Sequence, residues 1–138
     1  MLRWRSAGTT LDGMARAIRI VAGGVTADAE LNDSSTAAAI WAALPLEFNA
    51  ETWGDEVYAS IGLTLAPEDP RDTVALGDLG YWPPGKAFCV FFGPTPMSRG
   101  NEIRPASAVN VVGRVLGDPT VFRKVRVRTR VKLERGDT

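Results

Sequence analysis

The sequence predicts a mainly β protein, a closed antiparallel barrel with two short helices. Three observations predict it. Short runs rich in β-branched and aromatic residues recur along the chain, separated by Gly, Pro, Asn and Asp. Helical spacing appears in only two brief segments. Strands do not alternate with long helices, so a parallel sheet is not expected. The chain has 138 residues, of which 45% are apolar, enough for one domain with a real core.

The elements follow in order. Ala17 to Val21 reads as a first strand, and Gly23-Gly24 as a hairpin turn. Val25, Ala27, Ala29 and Leu31 then alternate along the returning strand. Asn32-Asp33-Ser34-Ser35 supplies helix caps, Ala37, Ile40, Trp41 and Leu44 recur at helical spacing, and Pro45 closes the helix. That helix should cover an open end of the barrel, with Trp41 as a plug. Leu46 to Thr52 and Glu56 to Ile61 flank the turn Trp53-Gly54-Asp55, with Leu63 to Leu65 continuing the second strand. Ala66 to Asp72 is an acidic, Pro-containing loop. Val74 to Leu76 and Asp78 to Tyr81 are strand pieces, and Tyr81-Trp82-Pro83-Pro84-Gly85 should leave the ladder because proline lacks a donor.

Ala87 to Phe92 is apolar throughout and reads as a strand buried on both faces. Gly93 to Ala108 is a long loop, and Val109 to Leu116 another strand. Asp118 caps a short helix ending at Lys124. Val125 to Leu133 reads as a last strand, with Arg126, Arg128, Arg130 and Lys132 on one face.

Composition excludes several chemistries. The chain has no His, which removes Ser-His-Asp catalysis and most zinc sites. Its one Cys, Cys89, lies in an apolar run and reads as an inert core thiol. No metal site, cofactor or catalytic residue is assigned. With no internal disulfide to form, a reducing cytoplasm suits the chain. No apolar run reaches membrane-spanning length. Residues 1–13 read as a poorly ordered extension, with residues 14–138 as one domain starting at Met14.

Net charge is zero but unevenly spread: residues 20–78 hold Arg71 alone against eleven carboxylates, and residues 79–138 hold eleven bases against four acids. Pairing of opposite charges between neighbouring strands is the preferred explanation. The basic stripe is read as a solvated exterior, since it has no interleaved aromatics, and no nucleic-acid partner is expected.

Two segments could form a pocket. The corner Tyr81–Gly85 offers a rigid aromatic wall. The loop Ser98 to Ser107 carries Arg99, Glu102 and Arg104, which could bind an anion or pair among themselves to staple the loop. With Phe92, these place Tyr81, Trp82, Arg99, Glu102 and Arg104 around one candidate ligand site, provided the long loop folds back along the barrel. Trp53, Glu56, Tyr58 and Ser107 are secondary candidates. Asp55 and Glu56 are adjacent carboxylates, but neighbours on a strand face opposite ways and should not share a proton.

The chain also resembles a known family. The residues that carry this are Ala29-Glu30-Leu31-Asn32-Asp33-Ser34, Trp53-Gly54-Asp55-Glu56-Val57-Tyr58, the run Gly77-Asp78-Leu79-Gly80-Tyr81-Trp82-Pro83-Pro84-Gly85, Glu102-Ile103-Arg104-Pro105-Ala106-Ser107 and Val109-Asn110-Val111. They are similar to those of small prokaryotic cyclophilin-like proteins of unknown function, from Arg16 to about Leu133. The resemblance implies an eight-stranded closed barrel with helices at its ends.

True cyclophilins are a weaker match. Their isomerase site uses an Arg on a strand after the first helix and a Gln nearby, usually with a Trp and a His before a late strand. Residues 37–70 here contain no Arg, Lys or Gln, and neither Trp nor His stands just before Val109. Without the Arg that stabilises a twisted amide, a pocket is expected to persist without prolyl isomerase activity. The expected function is therefore binding of a small molecule or peptide. An enzyme working with Asp55 or Glu56, Glu102, Tyr58 or Tyr81 and the arginines is the alternative, and a protein-interaction module, such as a homodimer, the third class.

A chain beginning at Met14 is expected to be as stable as the full one in chemical denaturation. A loss above about 1 kcal/mol would show that Trp4 docks on the domain.

Overall fold

A computed structural model describes residues 16–136, so the reading of residues 1–13 lies outside the described residues. The strands are β1 (Arg16–Ala22), β2 (Val25–Leu31), β3 (Leu46–Asn49), β4 (Glu51–Thr52), β5 (Glu56–Ser60), β6 (Asp78–Trp82), β7 (Ala87–Phe91), β8 (Asn110–Val115) and β9 (Arg130–Arg135). Helix α1 spans Ser35–Ala43, and a 3₁₀ helix spans Pro119–Lys124. Each helix has the cap its sequence advertises. Ser34 accepts from the Ala37 N–H, and Asp118 accepts from the Thr120 N–H.

All strand pairings are antiparallel, in the order β3-β9-β1-β2-β8-β6-β7-β5-β4. The two ends of this order, β3 and β4, flank Ala50 and are one stretch of chain. At Ala50 the backbone still bonds to the β9 side, donating to Thr129 at 2.8 Å and accepting from Arg128 at 2.7 Å. Beyond it the chain pairs with β5. Counted as one bent strand, β3 and β4 close a ring of eight, which is the barrel the sequence predicts.

The interior is filled by alternate residues of the strands, including Ile18, Ile20, Leu31, Phe48, Val57, Leu79, Tyr81, Phe88, Val112 and Leu133. Ile40 of α1 is fully buried against this core, whereas Trp41 is only partly buried beneath the Arg135 guanidinium, 4.3 Å from its ring centre. Ile40, not Trp41, is the plug.

Strand β7 faces two cores. Phe88 and Val90 point into the barrel, while Ala87, Cys89 and Phe91 belong to a second cluster with Ile103 and Val109. The loop from 93 to 109 therefore folds back over the outer wall, as two-sided burial of β7 requires. Within that loop the Ser98 hydroxyl accepts from Thr95 and Arg104 N–H, and Thr95 Oγ1 donates to the Arg104 carbonyl.

Two of the buried polar residues, Thr36 and Asn110, share one network. Asn110 donates to Thr36 Oγ1 and the Ala66 carbonyl, both at 3.0 Å, and accepts from Glu68 N–H at 2.8 Å. The Glu68 carboxylate accepts from Ser35 N–H, Thr36 N–H and the Thr36 hydroxyl, which hold it below its ordinary pKa.

Besides Trp41, four expectations change. Val74 to Leu76 is not a strand and keeps only an isolated bridge from Val74 to Ile103. Leu63 to Leu65 is not a strand, because its carbonyl and N–H groups at residues 63 and 65 are taken by the Tyr81 hydroxyl. Tyr81 and Trp82 do join the ladder, opposite Phe88 and Ala87, and only the prolines leave it. The last strand starts at Arg130 rather than Val125. Arg128 has φ 72° and closes a turn from Arg126 to Thr129, which breaks the alternation and leaves Val127 half-exposed. Arg126 and Arg128 thus stand on that turn, while Arg130 pairs with Glu47 and Lys132 with Glu134. Three of the seven ion pairs among the described residues bridge neighbouring strands, Arg19–Asp28 and Arg114–Glu30 together with Arg130–Glu47.

Gly113 tests the packing of β8 on β2. A Cβ there would lie 2.1 Å from the Glu30 carbonyl oxygen, whereas one on Gly24 would meet nothing within 4 Å. Gly113→Ala should lower stability by more than about 2 kcal/mol in urea denaturation, and Gly24→Ala by less than about 0.5 kcal/mol.

Candidate functional site

The outer wall of the barrel carries a half-open cavity of about 250 Å³, lined by Trp53, Glu56, Tyr58, Trp82, Pro105, Ala106 and Val109. Alternation along β5 builds half of it. Val57 and Ala59 turn inward, so Glu56 and Tyr58 turn outward, next to Phe91 and Cys89 of β7. The returning loop supplies the other wall through Pro105, Ala106 and Val109.

Two motifs are explained by this cavity. In Trp53-Gly54-Asp55-Glu56, the turn docks on the start of the long loop: Asp55 N–H donates to the Pro94 carbonyl, and Phe92 N–H donates to the Asp55 carbonyl. Gly54 has φ 60°, and a Cβ on it would strike Pro96 at 2.8 Å. Asp55 faces Arg123 at 3.7 Å, so the adjacent carboxylates diverge and only Glu56 enters the cavity. In Tyr81-Trp82-Pro83-Pro84-Gly85, the prolines turn the chain and the Trp82 ring lies across Gly85, where a Cβ would be 2.7 Å from the ring. The Trp82 indole N–H donates to Ser107 Oγ at 2.7 Å and ties the corner to the loop.

Glu56 is the unusual group. It is 6% exposed, and no cation forms a salt bridge with it among the described residues. Burial pushes its pKa from 4.5 to about 7, partly offset by the neighbouring Cys89 thiol. Burial and the neighbouring Glu56 push the Cys89 thiol well above its ordinary value. Tyr58 is raised too, by burial and then by the charges of Glu51 and Glu56.

The residues predicted to share one site separate. Trp82, with the secondary candidates Trp53, Glu56 and Tyr58, lines the cavity, and Ser107 positions Trp82. Tyr81 is fully buried inside the barrel, because its neighbour Trp82 takes the outer face. Phe92 is also inside, its ring 6.2 Å from Phe122. Arg99, Glu102 and Arg104 are not among the lining residues. Arg104 forks onto both Glu102 oxygens at 2.7 and 3.1 Å, and Glu102 also accepts from the Arg99 backbone N–H, so the Glu102–Arg104 pair staples the loop. Sequence reasoning missed Pro105, Ala106 and Val109. Their signal was the need to cover the outer face of β7, which Ile103 and Val109 satisfy.

A larger cavity, about 680 Å³, opens beside Asn32, Glu68, Asp69, Arg71 and Asp78. Glu68, Asp69, Arg71 and Asp78 are engaged within the fold. Glu68 holds the start of α1, Asp69 pairs with Arg71, and Asp78 accepts from Ala75 N–H.

A family model described as cyclophilin-like matches residues 16–134. The chain belongs to the cyclophilin-like family. A hypothetical protein of Archaeoglobus fulgidus, known from its solution structure, is 39% identical, with a TM-score of 0.76 over 88% of this chain and 95% of that one. No curated protein matches the chain. In this cyclophilin-like domain strand β5 presents a buried carboxyl group to the outer-wall cavity, with no Arg or Lys among the lining residues.

The raised pKa of Glu56 has a sign opposite to that of a salt-bridged acid. The folded state holds the proton between pH 4.5 and about 7 while the unfolded state has released it, so this group's contribution to stability is full below pH 4.5 and is lost as pH rises through 7. Glu56→Gln should therefore match the parent near pH 4 and exceed it at pH 8 by on the order of 3 kcal/mol, read from urea denaturation at both pH values.

Proposed function

We propose that the domain is a binding module whose outer-wall cavity takes a small amphipathic ligand. The observation that carries this is a buried carboxyl group, without a cationic partner among the described residues, at a cavity walled by Trp53, Tyr58 and Trp82. The other buried polar side chains, Thr36, Thr95 and Asn110, are hydrogen-bonded within the fold. Here a carboxyl is kept in a dehydrated site at a cost to folding, which a ligand can offset. At about 250 Å³ the cavity fits a fragment-sized molecule or one peptide side chain, and is too small for a nucleotide.

An enzyme using Glu56 as acid or base is the second reading, favoured by its pKa of about 7. It lacks a partner. Cys89 is a buried thiol held protonated, and no lining residue is a Lys or Arg that would stabilise developing negative charge. Binding needs neither.

A fragment library screened by NMR should give hits that shift the Trp53 and Trp82 indole signals. Trp82→Ala should weaken those hits at least tenfold with the fold intact, and a proline cis/trans assay should show no acceleration. Hits that ignore Trp82→Ala would place binding elsewhere, and clear isomerase activity would replace this reading.

A further inference from the structure

The chemistry of the cavity narrows the ligand class, given that the cavity is the binding site. Its walls include two indoles and a phenol, all partly exposed. Aromatic faces carry negative quadrupole charge and attract cations that have little hydration to lose. Negative charge reaches the same place from two strands. Glu56 lines the cavity from β5, and Glu51 stands opposite Tyr58 across the β4–β5 pair. The loop wall offers Pro105, Ala106 and Val109, which bring no positive charge, and Arg104 beside them is held by Glu102. A carboxylate ligand would meet repulsion from Glu56, and a purely apolar one would leave that group dehydrated and unused.

We propose that this cavity binds a small organic ammonium ion, with Trp53, Tyr58 and Trp82 as an aromatic cage and Glu56 as its counter-ion. A bound cation satisfies the buried carboxylate and is itself too weakly hydrated to resist transfer from water. The cation therefore has to meet Glu56 ionised. The other titratable groups facing Glu56 are Tyr58 on β5 and Cys89 on β7, both pushed above their ordinary pKa and neutral at mild pH, with Glu51 across Tyr58 on β4. Between pH 5.5 and 8.5 the binding of a permanently charged ligand thus follows Glu56 alone. Affinity should rise with pH by roughly thirty-fold across that range, because the carboxyl must lose its proton, with a free-state pKa of about 7, before the cation binds.

The test compares choline with 3,3-dimethylbutan-1-ol, which has the same shape without the charge, by titration of the Trp indole NMR signals of the full chain. At pH 8.5 choline should bind at least tenfold tighter than the alcohol. Glu56→Gln should cut that preference at least fivefold, leaving only what the aromatic faces supply, and keep the alcohol's affinity within about twofold, with circular dichroism confirming the fold. Equal binding of the two probes would overturn the ammonium assignment and leave the cavity as a binding site. Absence of binding by either probe would overturn the assignment, and the fragment screen then decides the cavity reading by itself. A preference for choline that Glu56→Gln leaves undiminished, or that does not rise with pH, would overturn Glu56 as counter-ion. A short peptide centred on trimethyllysine that binds more than tenfold tighter than choline would overturn the small-molecule source.

Discussion

Strand β7 must be kept dry on both faces, and much of the architecture follows from that. Phe88 and Val90 need the barrel to close in front of them, and Ala87, Cys89 and Phe91 need a second layer behind. The barrel closes because one stretch of chain, bent at Ala50, pairs with β9 on one side and β5 on the other. The second layer is the loop from 93 to 109, which reaches back to place Ile103 and Val109 on the outer cluster. Burying apolar area of this kind contributes roughly 25 cal/mol per Å², so an uncovered outer face would be a substantial loss.

The cavity is a by-product of that covering. A loop laid over a twisted wall does not fill every space, and the space left here is framed by residues that the wall and loop hold stiffly. Trp82 is fixed by Gly85 beneath it and by Ser107 at its indole N–H. Trp53 is carried by a turn that Gly54 allows to pack tightly against Pro94 and Pro96. Such a frame loses little conformational freedom when something enters it, which is the physical basis of preorganised binding. The same covering dehydrates Glu56 and Cys89 together, so the carboxyl and the thiol perturb one another and neither behaves as it would in water.

Charge has two different uses in this molecule. Cross-strand pairs such as Arg19–Asp28 and Arg114–Glu30 lie on the exterior and reconcile an acidic half of the chain with a basic one. They fix register more than they stabilise, since water screens them. The Glu102–Arg104 fork belongs to this group, because it shapes a loop and leaves its guanidinium occupied. Glu56 stands apart from this pattern in being buried, and that makes it informative about function where the exposed arginines were not.

The sequence by itself determined the barrel, because its information is local and periodic. Alternation at Val25, Ala27, Ala29 and Leu31, the Gly23-Gly24 turn, the Ser34 and Asp118 caps and the unbroken apolar run of β7 each name their structure without a distant partner. It overran at Val125 to Thr129, where the same alternation continues through a turn set by the contact of Arg128 with Ala50. Which side of the wall a residue faces was decided only by the tertiary structure. Tyr81 and Trp82 are neighbours of similar chemistry, and one is core while the other is cavity wall, because the side facing inward depends on how β6 pairs with β7 and β8. Glu56, only a secondary candidate from the sequence, is buried once the returning loop lies beside it. Burial is a property of what other segments do, and the meeting of Trp53, Glu56, Tyr58 and Trp82 with Pro105 and Val109 spans distances along the chain that no local pattern encodes.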